Sequence, residues 1–276
     1  MYIREIRDGV NNQNQNPPPT TKNSTPMQSY KIIKPLANPV KNCLIFSHGL
    51  GDTNEGWYAM FHQLTRQFPQ VFQNTIVYLP LAPVQPVSLN FGMPMTSWFD
   101  IVSLSGSGNS TGIDDEAINA RNFSQTEYVQ SLKAITDLCM QISREHAIPT
   151  EKIVVGGFSQ GAALSLGLSF YAPFKLGGIV ALSGFPVMVD AKFIKKNHID
   201  NLIINKDTPV FQGHGEEDPM VDLKFAENAK IFYTDENYLG NISKDKYMFK
   251  KYKHMGHSTC DEEMADMVDF LKTLLK

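Results

Sequence analysis

The sequence predicts an α/β fold in which a mostly parallel central sheet is covered by helices on both faces. Short apolar runs rich in β-branched residues alternate along the chain with longer segments whose apolar residues recur every three or four positions. This alternation is typical of parallel sheets, because the helix that joins two parallel strands packs against a face of the sheet. At 276 residues, 42% of them hydrophobic and 19% charged, the chain is long enough to bury a sizeable core.

The predicted strands begin soon after Tyr30, where we place the start of the folded part. They are Cys43–Ser47, Thr75–Leu79, Lys152–Gly156, Gly178–Ser183, Pro209–Gln212 and Tyr247–Lys253. Functional sites in such folds lie at the carboxyl ends of the strands. The residues that follow these runs are therefore the first candidates for chemistry.

Three helices are predicted from apolar stripes, and a fourth follows Ser159. The stripes are Trp57, Met60, Phe61, Leu64 and Phe68; Tyr128, Leu132, Ile135, Cys139 and Ile142; and Met264, Met267, Val268, Leu271 and Leu274. The stretch from Pro80 to about Gly112 has neither pattern and is predicted to be irregular. Connections of that length are unusual and often functional.

Composition predicts two segments and excludes several classes of protein. Residues 1–29 are rich in Asn, Gln and Pro and are predicted to be a disordered tail, whereas 30–276 form the catalytic domain. The net charge of −3 gives no electrostatic basis for binding nucleic acid. Three scattered cysteines and the absence of a signal peptide or long apolar run favour a reduced, cytoplasmic protein.

The most informative motif is Gly157-Phe158-Ser159-Gln160-Gly161, which follows an apolar strand and precedes a helix. A G-x-S-x-G motif in this setting is typical of a nucleophile elbow, in which the serine Oγ is exposed above a helix N-terminus. The motif alone is common by chance. Its context predicts that Ser159 attacks a carbonyl group, and a base and an acid should follow it in the chain.

His257 is the favoured base and Asp218 the favoured acid. His257 lies between the last strand and the last helix, and Gly256 lets the loop present it, although His254 is a close competitor. Asp218 lies in an Asp-Pro turn after a predicted strand, where it would orient His257. Glu216 and Glu217 precede it, and spacing alone does not decide between the three carboxylates.

The oxyanion hole is predicted from two backbone N–H groups, those of Gln160 and Leu50. Gln160 follows the nucleophile, and Leu50 lies in the glycine-rich loop after the first well-marked strand. His48 and His214 each end a strand before a glycine. We expect both to hydrogen-bond a neighbouring loop, in preference to serving as a second base or as metal ligands, because no further ligands with metal spacing appear.

The irregular stretch is unusually apolar for a loop. It carries Leu81, Val84, Val87, Leu89, Phe91, Met93, Met95, Trp98 and Phe99. These residues either close the edge of the core or line a groove for an apolar acyl chain, and composition leaves both open. Methionine suits a flexible ligand because its side chain adapts its shape.

With these residues in view, the chain resembles the acyl-protein thioesterase / lysophospholipase family, which belongs to the phospholipase/carboxylesterase family of α/β-hydrolases. The matching segments are His48-Gly49-Leu50-Gly51-Asp52-Thr53, Leu79-Pro80-Leu81-Ala82-Pro83, Ser97-Trp98-Phe99-Asp100, Gly156–Ser165, Leu182-Ser183-Gly184, His214-Gly215, Asp218-Pro219 and His257-Ser258-Thr259-Cys260. The resemblance implies an α/β-hydrolase fold and favours Asp218 and His257 as partners of Ser159. It also implies an acyl groove near Met93, Met95 and Trp98, to which we add Phe185. The Gly/Ser-rich stretch from Ser103 to Glu116 departs from the family pattern.

The resulting hypothesis is a serine hydrolase that cleaves fatty acyl thioesters from protein cysteines and also hydrolyses lysophospholipids. Such a reaction needs no metal or organic cofactor, and its partners are S-acylated proteins or lysophospholipids. Two alternatives stay open: a general carboxylesterase, and an inactive binding protein on the same fold. The sequence also leaves open peripheral contact with a membrane, and it does not determine the oligomeric state.

Overall fold

The computed structural model describes residues 29–104, 122–200 and 202–276. The predicted tail up to residue 28 and most of the Gly/Ser-rich stretch lie outside the described residues. Seven strands form the central sheet: β1 (Tyr30–Ile33), β2 (Asn42–Ser47), β3 (Thr75–Pro80), β6 (Ile153–Phe158), β7 (Gly178–Leu182), β8 (Val210–Gly215) and β9 (Tyr247–Tyr252). Two further strands, β4 (Val84–Val87) and β5 (Met93–Thr96), pair only with each other. The order across the central sheet is β1-β3-β2-β6-β7-β8-β9.

The sheet is mostly parallel, as predicted. Among the described strands of this sheet, only β1 runs antiparallel to its neighbour, with Tyr30 opposite Pro80. The pairs β2–β3, β2–β6, β6–β7, β7–β8 and β8–β9 are all parallel. Strands β2, β3, β7 and β8 are buried along their whole length, which is why they read as continuous apolar runs in the sequence.

Helices cover both faces of the sheet. The main helices are α1 (Asn54–Gln67), α2 (Pro69–Phe72), α3 (Gln125–His146), α4 (Gln160–Tyr171), α5 (Ala191–Lys196), α6 (Leu223–Thr234) and α7 (Asp261–Leu274). Side chains from α1, α2 and α7 form one core with one face of the sheet. Side chains from α3, α4, α5 and α6 form the other core.

The three predicted apolar stripes are confirmed. Every member of the α3 stripe is buried, and Met267, Val268 and Leu271 of the α7 stripe are buried with their neighbours partly covered. Helix α1 begins three residues before Trp57, because the Thr53 hydroxyl caps it by accepting a hydrogen bond from the Glu55 N–H. Sequence reasoning missed α5 and α6. Asp190 and Asp222 cap them, and those caps were the available signal.

The prediction that Pro80 to Gly112 is irregular was wrong in part. Strands β4 and β5 form an antiparallel hairpin, joined by a short 3₁₀ turn at Ser88–Asn90. Phe91 closes the turn with a positive φ of 56°. The alternation was missed because Pro86 and Pro94 face each other across the hairpin, and proline reads as a break in a strand.

Glu263 is an unusual buried acid in the first turn of α7. Its side chain is fully buried, and neither carboxyl oxygen has a hydrogen-bond partner. The carboxyl group packs directly against Gly213 of β8, where a Cβ would overlap it. Burial, with a smaller contribution from the charge of Asp266, raises the pKa of Glu263 to about 8. Glu263 is therefore protonated in the folded protein at neutral pH.

This burial predicts a stability that depends on pH. Between the ordinary glutamate pKa of 4.5 and the folded value of about 8, the native state holds a proton that the unfolded chain has released. The contribution of Glu263 to stability is therefore complete below pH 4.5 and is lost as the pH rises through the folded pKa. A glutamine side chain stays neutral at every pH. The free energy of unfolding of Glu263→Gln should therefore rise relative to that of the wild type by about 1.4 kcal/mol per pH unit across this window.

Urea unfolding at about pH 5, 6 and 7 measures this difference, since both steps of one unit lie between the two pKa values and test the same slope. The exposed neighbour Glu262 supplies the matched control. The stability of Glu262→Gln should depend on pH in the same way as that of the wild type. If the free energy of unfolding of Glu263→Gln changes with pH in the same way as that of the wild type, Glu263 is not a buried neutral acid.

Candidate active site

The candidate site lies at the carboxyl edge of the sheet, where β6 turns into α4. Ser159 occupies this turn with φ 53° and ψ −114°, a conformation that a residue with a side chain adopts only under strain. The strain persists because the turn is enclosed: a Cβ at Gly157 would overlap Gly161, and a Cβ at Gly161 would overlap the Ser47 carbonyl. The two glycines of the motif are thus required by close backbone contacts.

The structure brings Ser159, His257 and Asp218 together. Nε2 of His257 lies 3.0 Å from the Ser159 Oγ, and Nδ1 of the same ring lies 2.7 Å from Oδ2 of Asp218. The second carboxylate oxygen, Oδ1, accepts the backbone N–H groups of Met220 and Val221 at 2.8 and 2.9 Å. These distances fit a catalytic triad in which the Asp218 carboxylate fixes the imidazole tautomer.

Asp218 is ionised despite its burial. Burial by itself raises the pKa of this carboxyl group, but the hydrogen bonds from His257, Val221 and Met220 outweigh it, so the pKa falls below its usual value. The Phe158 ring packs against the His257 imidazole, with the ring centroids 4.9 Å apart. The imidazole is therefore held both by its hydrogen bonds and by an apolar contact.

The competing candidates lie elsewhere. His254 and Glu217 pair with each other at 2.8 Å, and their side chains are 87% and 62% exposed. Backbone N–H groups instead converge on Asp218, whose side chain is fully buried. This geometry favours His257 over His254 and Asp218 over Glu217.

His214 and His48 hydrogen-bond neighbouring loops, as predicted. Nε2 of His214 donates to the Val221 carbonyl at 2.8 Å, while Nδ1 of His48 donates to the Gly49 carbonyl and its Nε2 accepts the Ala82 N–H. Burial is the main cause that lowers the pKa of both imidazoles. Both rings are therefore neutral and structural.

The loop that carries Leu50 lies against the nucleophile. A Cβ at Gly49 would be 3.4 Å from the Ser159 Cβ, so the backbone of this loop passes close enough to Ser159 that a side chain at Gly49 would touch it. Gln160, whose N–H is the other predicted donor, is the first residue of α4, and helix N-termini favour developing negative charge. The two segments expected to form an oxyanion hole thus flank one serine.

The four predicted groove residues lie in two different environments. Trp98 and Phe185 are each 2% exposed, and Phe185 stacks on Phe123 with the ring centroids 5.6 Å apart. Both rings fill the core, and the expectation that they line an acyl groove stays a prediction. Met93 is 54% exposed on β5, and the Met95 side chain lies beside Gly51, where its terminal methyl would be 3.7 Å from a Cβ.

Sequence reasoning missed the part played by the Gln160 side chain. Its amide is fully buried and bonds to the segment Ser97–Phe99, which is more than 60 positions earlier in the chain. No periodicity or spacing signals a contact across that distance. Among the described residues, no group of three acidic, His or Cys side chains is arranged to hold a metal ion, and none of the described helices is long and apolar enough to cross a membrane.

Known proteins resemble this chain over most of its length. A sequence model of the phospholipase/carboxylesterase family matches residues 28–275. The acyl-protein thioesterase 1 of Saccharomyces cerevisiae is 39% identical over 237 residues, which cover 86% of this chain and 94% of the yeast protein. The acyl-protein thioesterase 1 of Kluyveromyces lactis is 38% identical over 253 residues, covering 91% and 99%.

Solved structures share the fold. The crystal structure of Arabidopsis thaliana SOBER1 superposes with a TM-score of 0.64 at 25% identity, covering 86% of this chain and all of that one (100%). Zea mays acyl-protein thioesterase 2 gives a TM-score of 0.67 at 24% identity, with 90% and 99% covered. At that identity the maize structure supports the fold alone.

The site predicts that Ser159 reacts with an active-site-directed electrophile. A fluorophosphonate should label the wild-type protein, and Ser159→Ala should abolish labelling because the activated oxygen is removed. Ser258→Ala is the matched control, since Ser258 is exposed and adjacent to His257 but is not the residue that the His257 Nε2 contacts, and labelling should persist. Intact-mass measurement reads out both variants, and labelling that survives Ser159→Ala would refute the assignment.

Proposed function

This chain belongs to the phospholipase/carboxylesterase family, and we propose that it is a serine hydrolase that removes fatty acyl groups from protein cysteines. The observation that carries the proposal is the hydrogen-bonded chain from Ser159 through His257 to Asp218. Relatives named acyl-protein thioesterase 1, such as the yeast protein at 39% identity, support a thioester substrate. Esterase activity on lysophospholipids follows from the same chemistry.

The first half of the reaction forms an acyl-enzyme. The Ser159 Oγ attacks the thioester carbonyl carbon while its proton moves to Nε2 of His257, 3.0 Å away. The N–H groups of Leu50 and Gln160 stabilise the negative charge on the carbonyl oxygen. The C–S bond then breaks, and the proton on His257 passes to the cysteine sulfur as it leaves.

The second half repeats the sequence with water. His257 takes a proton from the water that attacks the acyl-enzyme, and it returns a proton to the Ser159 Oγ as the fatty acid leaves. In both halves, Oδ2 of Asp218 accepts the Nδ1–H of His257. This bond keeps Nε2 free for the reacting proton and stabilises the imidazolium ion while it exists.

The β4–β5 hairpin is the proposed acyl-binding surface. The hairpin exposes several large apolar side chains, and Met95 lies against Gly51 in the loop that carries Leu50. The exposed fractions are 95% for Phe91, 68% for Val84 and 54% for Met93. Exposed apolar side chains close to one another in one hairpin suit an acyl chain or the membrane from which it comes.

We also propose a cytoplasmic location, where S-acylated proteins would be the substrates. Cys43, Cys139 and Cys260 are free, and the first two are buried. Burial raises the pKa of Cys139 to about 12 and raises that of Cys43 as well, so neither thiol is reactive. Free thiols fit a reducing compartment.

Acyl-chain preference tests the proposal against a general carboxylesterase. Rates should be compared on a palmitoyl-cysteine peptide, lysophosphatidylcholine and short p-nitrophenyl esters. We expect kcat/KM for the palmitoyl thioester to exceed that for the short esters, since a long chain can make more contacts with the apolar side chains of the hairpin. Short esters that react much faster than long thioesters would instead favour the carboxylesterase.

Replacing the acid tests the assignment of Asp218. Asp218→Asn should lower kcat by about 10⁴-fold, because the amide favours the wrong imidazole tautomer. Glu217→Gln is the matched control on a neighbouring carboxylate, and it should keep the wild-type rate within about twofold, since exposed ion pairs contribute little. Equal losses in the two variants, measured with the same thioester, would contradict the assignment.

A further inference from the structure

We infer that Thr96, with Ser97, Trp98 and Phe99, couples the acyl-binding hairpin to the oxyanion hole. We call residues 96–99 the clamp. The inference rests on the proposed function and deepens it: the length of the acyl chain should govern the chemical step through the clamp, in addition to binding. Thr96 is then a positioning residue for specificity.

The clamp holds the loop that carries Leu50. The Thr96 Oγ1 donates to the Asp52 carbonyl at 2.5 Å, and the Thr96 carbonyl accepts the Gly51 N–H at 2.8 Å. The indole Nε1–H of Trp98 donates to the His48 carbonyl at 2.8 Å. The clamp thus bonds to the loop on both sides of Leu50.

The clamp also holds the residue that supplies the second donor. The Gln160 Oε1 accepts the Trp98 N–H at 2.8 Å, and its Nε2 donates to the Phe99 carbonyl at 2.7 Å and to the Ser97 Oγ at 3.1 Å. Gln160 is fully buried, so these bonds form without competition from water. One segment of four residues is therefore bonded to the loop of one predicted oxyanion donor and to the side chain of the other.

The far side of the clamp is fixed to helix α3. The Ser131 hydroxyl donates to the Trp98 carbonyl, and the Asp100 N–H donates to Oε2 of Glu127. Trp98 and Phe99 are buried, at 2% and 0% exposure. Because packed segments do not deform continuously, movement is expected at the less buried end of the clamp, at Thr96.

The hairpin and the clamp are continuous in the chain, because Thr96 belongs to both. Strand β5 carries Met93 and Met95 and ends at Thr96, whose Oγ1 bonds to the oxyanion loop. An acyl chain that packs on the two methionines would therefore restrain Thr96 and, through it, the Asp52 and Gly51 backbone. We expect a short acyl group to make fewer contacts with the two methionines and so to restrain the loop less. Since a misplacement of about 1 Å can cost about 10²-fold in rate, this restraint is sufficient to favour long chains in kcat.

The test is Thr96→Val, which removes the hydroxyl donor while keeping nearly the same side-chain shape. Wild type and variant are compared on one cysteine peptide carrying acyl groups from acetyl to palmitoyl. We expect the ratio of kcat for palmitoyl to kcat for acetyl to fall about tenfold. This is less than the loss of about 10²-fold in rate expected for a displacement of about 1 Å, because the loop keeps its other hydrogen bonds. The KM for the palmitoyl peptide should stay within about twofold, because the methionines remain.

Two further variants separate coupling from general damage. Thr96→Ser keeps a hydroxyl and should restore the wild-type ratio. Thr273→Val removes an equivalent bond, from the Thr273 Oγ1 to the Phe270 carbonyl at 2.7 Å in α7, and should leave the ratio unchanged. If Thr96→Val lowers both kcat values equally, or changes KM alone, the clamp has only a structural role and the inference is wrong.

The same series of acyl groups on p-nitrophenol distinguishes the failure of this inference from the failure of the proposed function. If the thioesters are not cleaved but the p-nitrophenyl esters are, the proposed function is wrong while the chain-length ratio still tests the clamp. Should Thr96→Val fail to fold, Trp98→Phe removes the indole donor to the His48 carbonyl and should lower the same ratio. An unchanged ratio in that variant would overturn the inference.

Discussion

The close backbone approach of α4 to strands β2 and β6 is the constraint on which the rest of the site depends. No side chain fits at Gly157 or Gly161, so helix and strands touch at the elbow and Ser159 is forced to a positive φ. This contact also places the His48–Asp52 loop beside the serine, because the Ser47 carbonyl is the atom that Gly161 meets. A single contact thus positions both Ser159 and the loop that carries Leu50, the proposed nucleophile and oxyanion donor.

Buried polar groups hold the loops around this contact. Asp218, Gln160, His48 and His214 are all buried, and isolated burial of such groups would be costly. Each hydrogen-bonds a neighbouring loop, and the two structural imidazoles avoid the cost of a buried charge by staying neutral. Asp218 is the exception, since its hydrogen bonds outweigh burial and keep it ionised. The polar interior therefore orders the site, and the ionised carboxylate within it faces the base.

The apolar residues of the stretch that follows β3 lie in two places: some are buried in the core and others are exposed on the hairpin. Trp98 and Phe99 anchor the stretch inside the protein, whereas Phe91 and Met93 extend into solvent. One segment therefore both closes the edge of the core and offers an apolar surface. The first of the two alternatives that composition left open, closure of the core edge, holds for Trp98 and Phe99. The second, binding of an acyl chain, is what we propose for the exposed hairpin, and the clamp is where the two parts meet.

Local patterns in the chain were enough to predict most strands of the central sheet, four of the helices and Ser159 as the candidate nucleophile, whereas the choice of Asp218 among three carboxylates also needed the family resemblance. Strand runs, apolar stripes and the G-x-S-x-G motif are read within short windows, and the order of Ser159, Asp218 and His257 follows the strand ends at which they lie. Such windows do not specify which distant segments touch. Three-dimensional packing was needed to show that Trp98 and Phe185 are core residues, that Glu263 is buried against Gly213, and that Gln160 bonds to the clamp. Burial and long-range hydrogen bonds depend on what the rest of the chain places nearby, and no window of neighbouring residues contains that information.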